Sequence, residues 1–109
     1  MDIIELQGMD LISLEWNEAR FNLRAINSAG EVFEAALSNP GQAPIGVKVH
    51  WLNLRMIYDQ DAGMYSLGEL ETIALDNGAI HIEADAGFFS ITAAKIFVQQ
   101  VAGLTGNEA

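Results

Sequence analysis

Cysteine is absent from the 109-residue chain, proline occurs only twice, and five Lys and Arg stand against 15 Asp and Glu. Without cysteine the chain has no disulfide scaffold, no thiolate-bound zinc or iron–sulfur site and no cysteine nucleophile. The formal net charge of −10 disfavours nucleic acids and anionic membrane surfaces, because both require a basic track on the protein. We therefore expect neither a nucleic-acid partner nor a membrane partner.

Long apolar runs are missing as well. The N-terminal residues Met1-Asp2-Ile3-Ile4-Glu5 lack the basic region and the apolar stretch of a secretory signal. No run approaches the roughly 20 apolar residues of a membrane-spanning helix. These two absences predict a cytoplasmic protein.

Half of the residues are hydrophobic, which is too many for intrinsic disorder despite the charge. A chain of this length has room for a single domain, because two halves would each be near the lower limit for independent folding. We place the domain at residues 1–102. Residues 103–109, with two glycines and little apolar content, are expected to be a flexible C-terminal tail.

The dominant pattern is an alternation of apolar and polar residues, which is typical of strands with one buried face. It predicts strands at residues 10–16, 20–26, 31–37, 46–58, 70–76, 79–85 and 88–98. Short Gly- or Asn-containing links separate several of them, and Asn77-Gly78 is the strongest hairpin signal in the chain. The fold class is therefore all-β, an antiparallel sandwich or small barrel of about seven strands, or eight if Ile3–Leu6 pairs at an edge.

Two stretches are expected to interrupt this regular succession. Residues 38–46 contain both prolines and two glycines, so we expect the chain to cross between sheets there. Within residues 46–58 the alternation changes phase near Trp51-Leu52. We interpret that change as a β-bulge in one long strand, in preference to an amphipathic helix that starts at Trp51. Residues 59–63 are predicted to form a turn.

Sequence fingerprints of catalysis and cofactor binding are not found in the chain. There is no Gly-rich phosphate loop and no dinucleotide fingerprint. Asp59-Gln60-Asp61 resembles the start of a calcium loop, but Gly63, Met64 and Leu70 stand where an EF-hand requires its third ligand, its glycine and its glutamate. The sequence therefore predicts no enzyme, no cofactor and no metal site.

The most chemically suggestive row is formed by His81, Glu83 and Asp85. Period 2 places these three side chains on one face of a strand, about 7 Å apart from one to the next. That spacing is too wide for all three to bind one ion without convergence of the side chains. An ordinary solvated polar row is the alternative interpretation.

A second candidate is His50 with the neighbouring Trp51. The segment Pro44-Ile45-Gly46-Val47-Lys48-Val49-His50-Trp51-Leu52-Asn53 resembles the second half-motif of the cupin β-barrel metalloproteins, in which a Pro-x-Gly turn precedes a metal-binding histidine. The spacing differs by one residue on each side of the histidine. The resemblance implies a small-ligand or metal-binding barrel that would use His50 or His81.

Several predicted strands are apolar on both faces, as the adjacent pairs Leu11-Ile12 and Phe88-Phe89 show. One core cannot hide both faces, so a self-association interface is expected to cover the rest. The sequence thus favours a non-enzymatic, acidic binding protein that forms a homodimer. The alternatives are an immunity or inhibitor protein that binds a basic protein partner, and the cupin-like barrel.

Overall fold

The computed structural model describes residues 1–52, 57–59 and 64–102. These residues form ten strands: β1 (Asp10–Trp16), β2 (Arg20–Ile26), β3 (Val32–Ser38), β4 (Gly46–Trp51), β5 (Ile57–Asp59), β6 (Met64–Ser66), β7 (Leu70–Asp76), β8 (Ala79–Ala84), β9 (Gly87–Thr92) and β10 (Lys95–Ala102). Sheet I has the order β1-β2-β3-β10, sheet II has the order β4-β9-β8-β7, and β5 pairs with β6. All pairs are antiparallel, so the all-β, sandwich-like prediction is confirmed.

The tight links between strands follow from turn chemistry. Asn77 and Gly78 both have positive φ, at 50° and 82°, which is the type I′ geometry that matches the twist of a two-residue hairpin. Asn17 caps the β1–β2 link, because its side-chain oxygen accepts hydrogen bonds from the amides of Ala19 and Arg20 at 2.8 and 3.0 Å. β1–β3 and β7–β9 each form a three-stranded antiparallel meander.

The chain crosses from sheet I to sheet II between β3 and β4, as the two prolines predict. A short 3-10 turn at Pro40–Gln42 lies in this crossover. Asn39 joins it to the return crossover between β9 and β10. Its side-chain oxygen accepts a hydrogen bond from the Ala94 amide at 2.7 Å, and its side-chain nitrogen donates to the Pro44 carbonyl at 2.9 Å.

The alternative of an eighth strand at Ile3–Leu6 is wrong. These residues form a 3-10 turn that is closed by a capping box. The Asp2 carboxylate accepts a hydrogen bond from the Ile4 amide, and the Glu5 carboxylate accepts one from the Asp2 amide. Ile3 and Leu6 are buried, so the turn adds two apolar side chains to the core.

The interpretation of residues 46–58 as one bulged strand is also wrong. β4 ends at Trp51, and Ile57–Asp59 belongs to a separate hairpin with β6. The Leu52 amide donates to the Ala86 carbonyl at 2.9 Å, after which the chain leaves sheet II. Residues 53–56 lie outside the described residues. Of the predicted turn at residues 59–63, the structure describes only Asp59.

A similar correction applies to residues 88–98, which were predicted as one strand with a change of phase. β9 ends at Thr92 in sheet II, and β10 begins at Lys95 in sheet I. The change of phase marks a crossover between the sheets. The predicted tail at residues 103–109 lies outside the described residues.

The strands of the two sheets cross rather than run alongside each other. At its beginning, β1 is bonded to the start of β7, where the Leu70 amide donates to the Met9 carbonyl at 2.8 Å. At its end, the Trp16 ring lies 6.4 Å from the Trp51 ring at the end of β4. Because β7 and β4 are opposite edges of sheet II, β1 spans the full width of that sheet, as in orthogonal sheet packing.

The core lies between the sheets and consists of alternate residues of their inner faces. Its largest fully buried side chains are Phe21, Ile3, Leu6, Leu11, Leu23, Leu37, Leu70, Ile80, Ile82 and Ile91. One face of each sheet is therefore covered, and the opposite faces are left to solvent or to a partner. No helix among the described residues is long and apolar enough to cross a bilayer.

Candidate functional site

The outer face of sheet II brings together side chains from three strands. Alternation along each strand leaves the inner residues in the core and turns the others outward. Pairing of the strands aligns the outward residues into two rows. We call this surface face II, and its central residues are Lys48, Ser90 and His81 in one row and His50, Phe88 and Glu83 in the next.

In the middle of face II, the His50 and Phe88 rings stack, and Ser90 and His81 form a hydrogen bond. The His50 and Phe88 rings are 6.1 Å apart and nearly parallel, with 17° between their planes. The Ser90 hydroxyl lies 3.1 Å from Nδ1 of His81. A shallow depression of about 410 Å³ lies over these groups. Phe88 is 43% exposed, so an aromatic side chain stands in solvent on an inner strand of the sheet.

Three of the five predicted site residues come together on face II, namely His50, His81 and Glu83. Trp51 does not, because it follows His50 in the strand and its side chain turns to the opposite face. Its ring lies 5.4 Å from the Phe89 ring in an edge-on contact. Trp51 therefore helps to close the end of the sandwich next to Trp16.

Asp85 is the fifth predicted residue and lies beyond the end of β8, in the turn that leads to β9. Its carboxylate accepts a hydrogen bond from the Glu69 amide at 2.8 Å. That bond, together with a hydrogen bond from Glu71, lowers the pKa of Asp85. Conversely, the pKa of Glu71 is raised by its hydrogen bond to Asp85 and by the negative charges of Asp85, Glu69 and Glu83.

Neutralising Glu71 is expected to stabilise the fold near pH 7. A carboxyl whose pKa is raised on folding destabilises the folded state when it is ionised. Glu71→Gln removes the negative charge that causes this destabilisation, and its side-chain amide can still donate a hydrogen bond to Asp85. The melting temperature should rise at pH 7, and the gain should vanish below about pH 4, where the carboxyl of the natural chain is protonated as well. Glu15→Gln, on exposed sheet I surface, is the control. An equal effect of both variants at pH 7 contradicts the assignment.

The row His81, Glu83 and Asp85 does not converge on one point. Within the described residues no group of three or more His, Cys, Asp or Glu side chains is placed to hold a metal ion. The wide spacing along the strand and the displacement of Asp85 into the turn account for this.

The contact between Ser90 and His81 meets the first requirement of a serine nucleophile, a base within hydrogen-bond reach. The second requirement is a group that orients the histidine. In the part of the chain that the structure describes, no carboxylate hydrogen-bonds to His81. The pair also stands on an open sheet face instead of in an enclosed cleft. Among the described residues, the Ser90–His81 pair thus meets the first requirement and lacks the second.

Lys48, Phe88 and Ser90 belong to face II but were not among the predicted site residues. The adjacent phenylalanines Phe88 and Phe89 did signal that one of the two rings lies outside the core. What the sequence does not reveal is the register between β4 and β9, which pairs His50 with Phe88.

Comparison with known proteins identifies no relative: no family model matches the chain, and no curated protein or solved structure matches it. The likeness of residues 44–53 to a cupin half-motif thus rests on the sequence alone. The structure places His50 on an outer face, away from the inner faces that enclose the core.

Proposed function

We propose that this chain is a non-enzymatic binding protein that acts by self-association, in its simplest form as a homodimer. The observation that carries the proposal is Phe88, an exposed aromatic side chain on an inner strand of an ordered sheet face. Scattered exposed apolar residues are normal on a protein surface. Aromatic side chains at the centre of a patch, with polar groups around them, are typical of interface hot spots.

Exposed large apolar side chains among the described residues, Phe88 included, add to the same argument. They are Met1, Ile4, Trp16, Trp51, Leu52, Leu75, Phe88, Ile96, Phe97 and Val101. Moving a fully exposed Phe side chain out of water contributes about 1.5–3 kcal/mol. Because Phe88 is 43% exposed and a symmetric dimer covers it twice, the two Phe88 side chains together contribute about 1–3 kcal/mol of the roughly 8 kcal/mol of a micromolar complex.

Dilution calorimetry tests the proposal directly. When a concentrated solution is injected into buffer, we expect heats that decline over successive injections as dimers dissociate, with a dissociation constant in the micromolar range. Burial of apolar surface has a small enthalpy near 25 °C and a large heat-capacity change. The experiment is therefore run at about 10 and 35 °C, where the dissociation heat should differ in size. Constant heats of dilution at both temperatures contradict self-association.

A further inference from the structure

The charges of face II are divided between its two sides. Lys48 and His50 stand on β4, the strand on one side of β9, and Glu83 stands on β8, the strand on the other side. Phe88 lies between them in the row that pairs His50 with Glu83. The face thus has a lysine on one side, an aromatic ring in the middle and a carboxylate on the other side, with one histidine on each side, His50 on β4 and His81 on β8.

Two arrangements bring this face against the same face of a second copy. In both, the two-fold axis lies in the plane between the two facing copies of sheet II. An axis across the strands places β4 of one copy on β4 of the other. The strand that carries Lys48 and His50 then faces the same strand of the partner. An axis parallel to β9 places β4 of one copy on β8 of the other and keeps each row at its own level. In the second arrangement the strand that carries Lys48 faces the partner's strand that carries Glu83, with Lys48 opposite the partner's His81; in the first, like strands and therefore like charges face each other.

We infer that a second copy of this chain docks on face II about a two-fold axis parallel to β9. The inference rests on the self-association proposed above and names its surface. Phe88 packs against the partner's Phe88 next to the axis. His50 faces the partner's Glu83, and Lys48 lies one step along the strand from that pair, within reach of the same carboxylate. Each contact occurs twice, as an isologous interface requires.

The size of face II sets the strength of this dimer. Four strands about 4.8 Å apart and about six residues long, at about 3.3 Å per residue, give a flat area of about 400 Å². The accessible area of such a patch falls below the roughly 800 Å² per partner of a standard stable complex. A concentration-dependent equilibrium between monomer and dimer is therefore expected, in preference to a permanent dimer.

Charge reversal across the axis tests the geometry. Glu83→Lys places a cation opposite the partner's His50 and Lys48, and His50→Glu places a carboxylate opposite the partner's Glu83. Each single variant should weaken the dimer by about tenfold or more, and the double variant H50E/E83K should restore most of the lost affinity. The readout is the dissociation constant from sedimentation velocity on the full chain. Circular dichroism verifies that each variant is folded.

Matched aromatic variants give an independent measurement. Phe88→Ser should weaken the dimer at least as much as the charge reversals, whereas Phe97→Ser, at a Phe that is 60% exposed on sheet I, should not. A chain that dimerises with the same affinity in E83K, H50E and F88S overturns the inference and leaves the proposed self-association standing. A double variant no tighter than the singles overturns the pairing across the axis. A natural chain that stays monomeric overturns both proposals.

Discussion

Replacement of Phe21 by Ala is expected to lower the free energy of unfolding by about 3–5 kcal/mol, the range found when buried aromatic residues are truncated to Ala. Phe21 is the largest of the fully buried side chains. Its ring stacks on Trp16 at 5.6 Å, so truncation leaves a cavity where the end of β1 crosses sheet II. A loss of this size is a large part of the 5–15 kcal/mol that stabilises a typical domain.

Urea unfolding monitored by tryptophan fluorescence measures the effect, because Trp16 reports on the same site. The matched control is Phe97→Ala, which removes a largely exposed ring and should cost less than about 1 kcal/mol. A Phe21→Ala variant no less stable than this control would show that the core is placed incorrectly.

A methyl group at Gly87 is expected to cost about 3 kcal/mol, at the upper end of the overpacking range. A Cβ atom there would overlap with the His50 carbonyl oxygen and lie 3.0 Å from Cα of Trp51. Both are backbone atoms of the facing strand, so no side chain can rotate away. Gly87→Ala must therefore push β4 away from β9 at the pair Trp51↔Gly87.

Gly46→Ala is the control for this variant, because Gly46 lies at the other end of the same strand pair, β4 with β9. A Cβ atom there would meet Cβ of Thr92 at 3.4 Å, which leaves room for a methyl group. We expect this control to change the free energy of unfolding by less than about 1 kcal/mol. Equal losses from the two variants, measured by urea unfolding, contradict the close approach of β9 to His50.

Much of the fold follows from local patterns in the sequence. Alternation locates β1, β2 and β7 with their observed bounds, and Asn77-Gly78 requires a type I′ hairpin because both residues adopt positive φ readily. The prolines of residues 38–46 mark the first crossover, because a residue without an amide donor cannot continue a central strand.

Two of the three failures, at residues 46–58 and 88–98, have one physical cause. A break in alternation shows that the side chains change face, and a bulge and a crossover between sheets both produce it. At residues 88–98 the choice depends on the contact of Asn39 with Ala94, which are 55 residues apart in the sequence. At Ile3–Leu6 two buried apolar residues resemble a strand, and the capping hydrogen bonds of Asp2 and Glu5 make a turn instead.

The sequence predicts which residues of the candidate site share a face only where those residues lie on the same strand. Period 2 places His81 and Glu83 on one face, because that arrangement depends on β8 alone. The addition of His50 and Phe88 to that face depends on the register of β4, β9 and β8, which no local pattern encodes. Asp85 lies beyond the end of β8, where its carboxylate accepts a hydrogen bond from the Glu69 amide. The two residues are 16 positions apart in the sequence, so alternation along one strand cannot predict this contact.

This chain is proposed to bind through a surface that accepts a second copy of itself. Sedimentation equilibrium of the natural chain tests it most directly, in a series from about 1 to 100 µM that spans the expected micromolar dissociation constant. Self-association predicts a weight-average mass that rises with concentration from the 11.8 kDa of one chain towards twice that value. A mass that stays at 11.8 kDa across the whole series contradicts it.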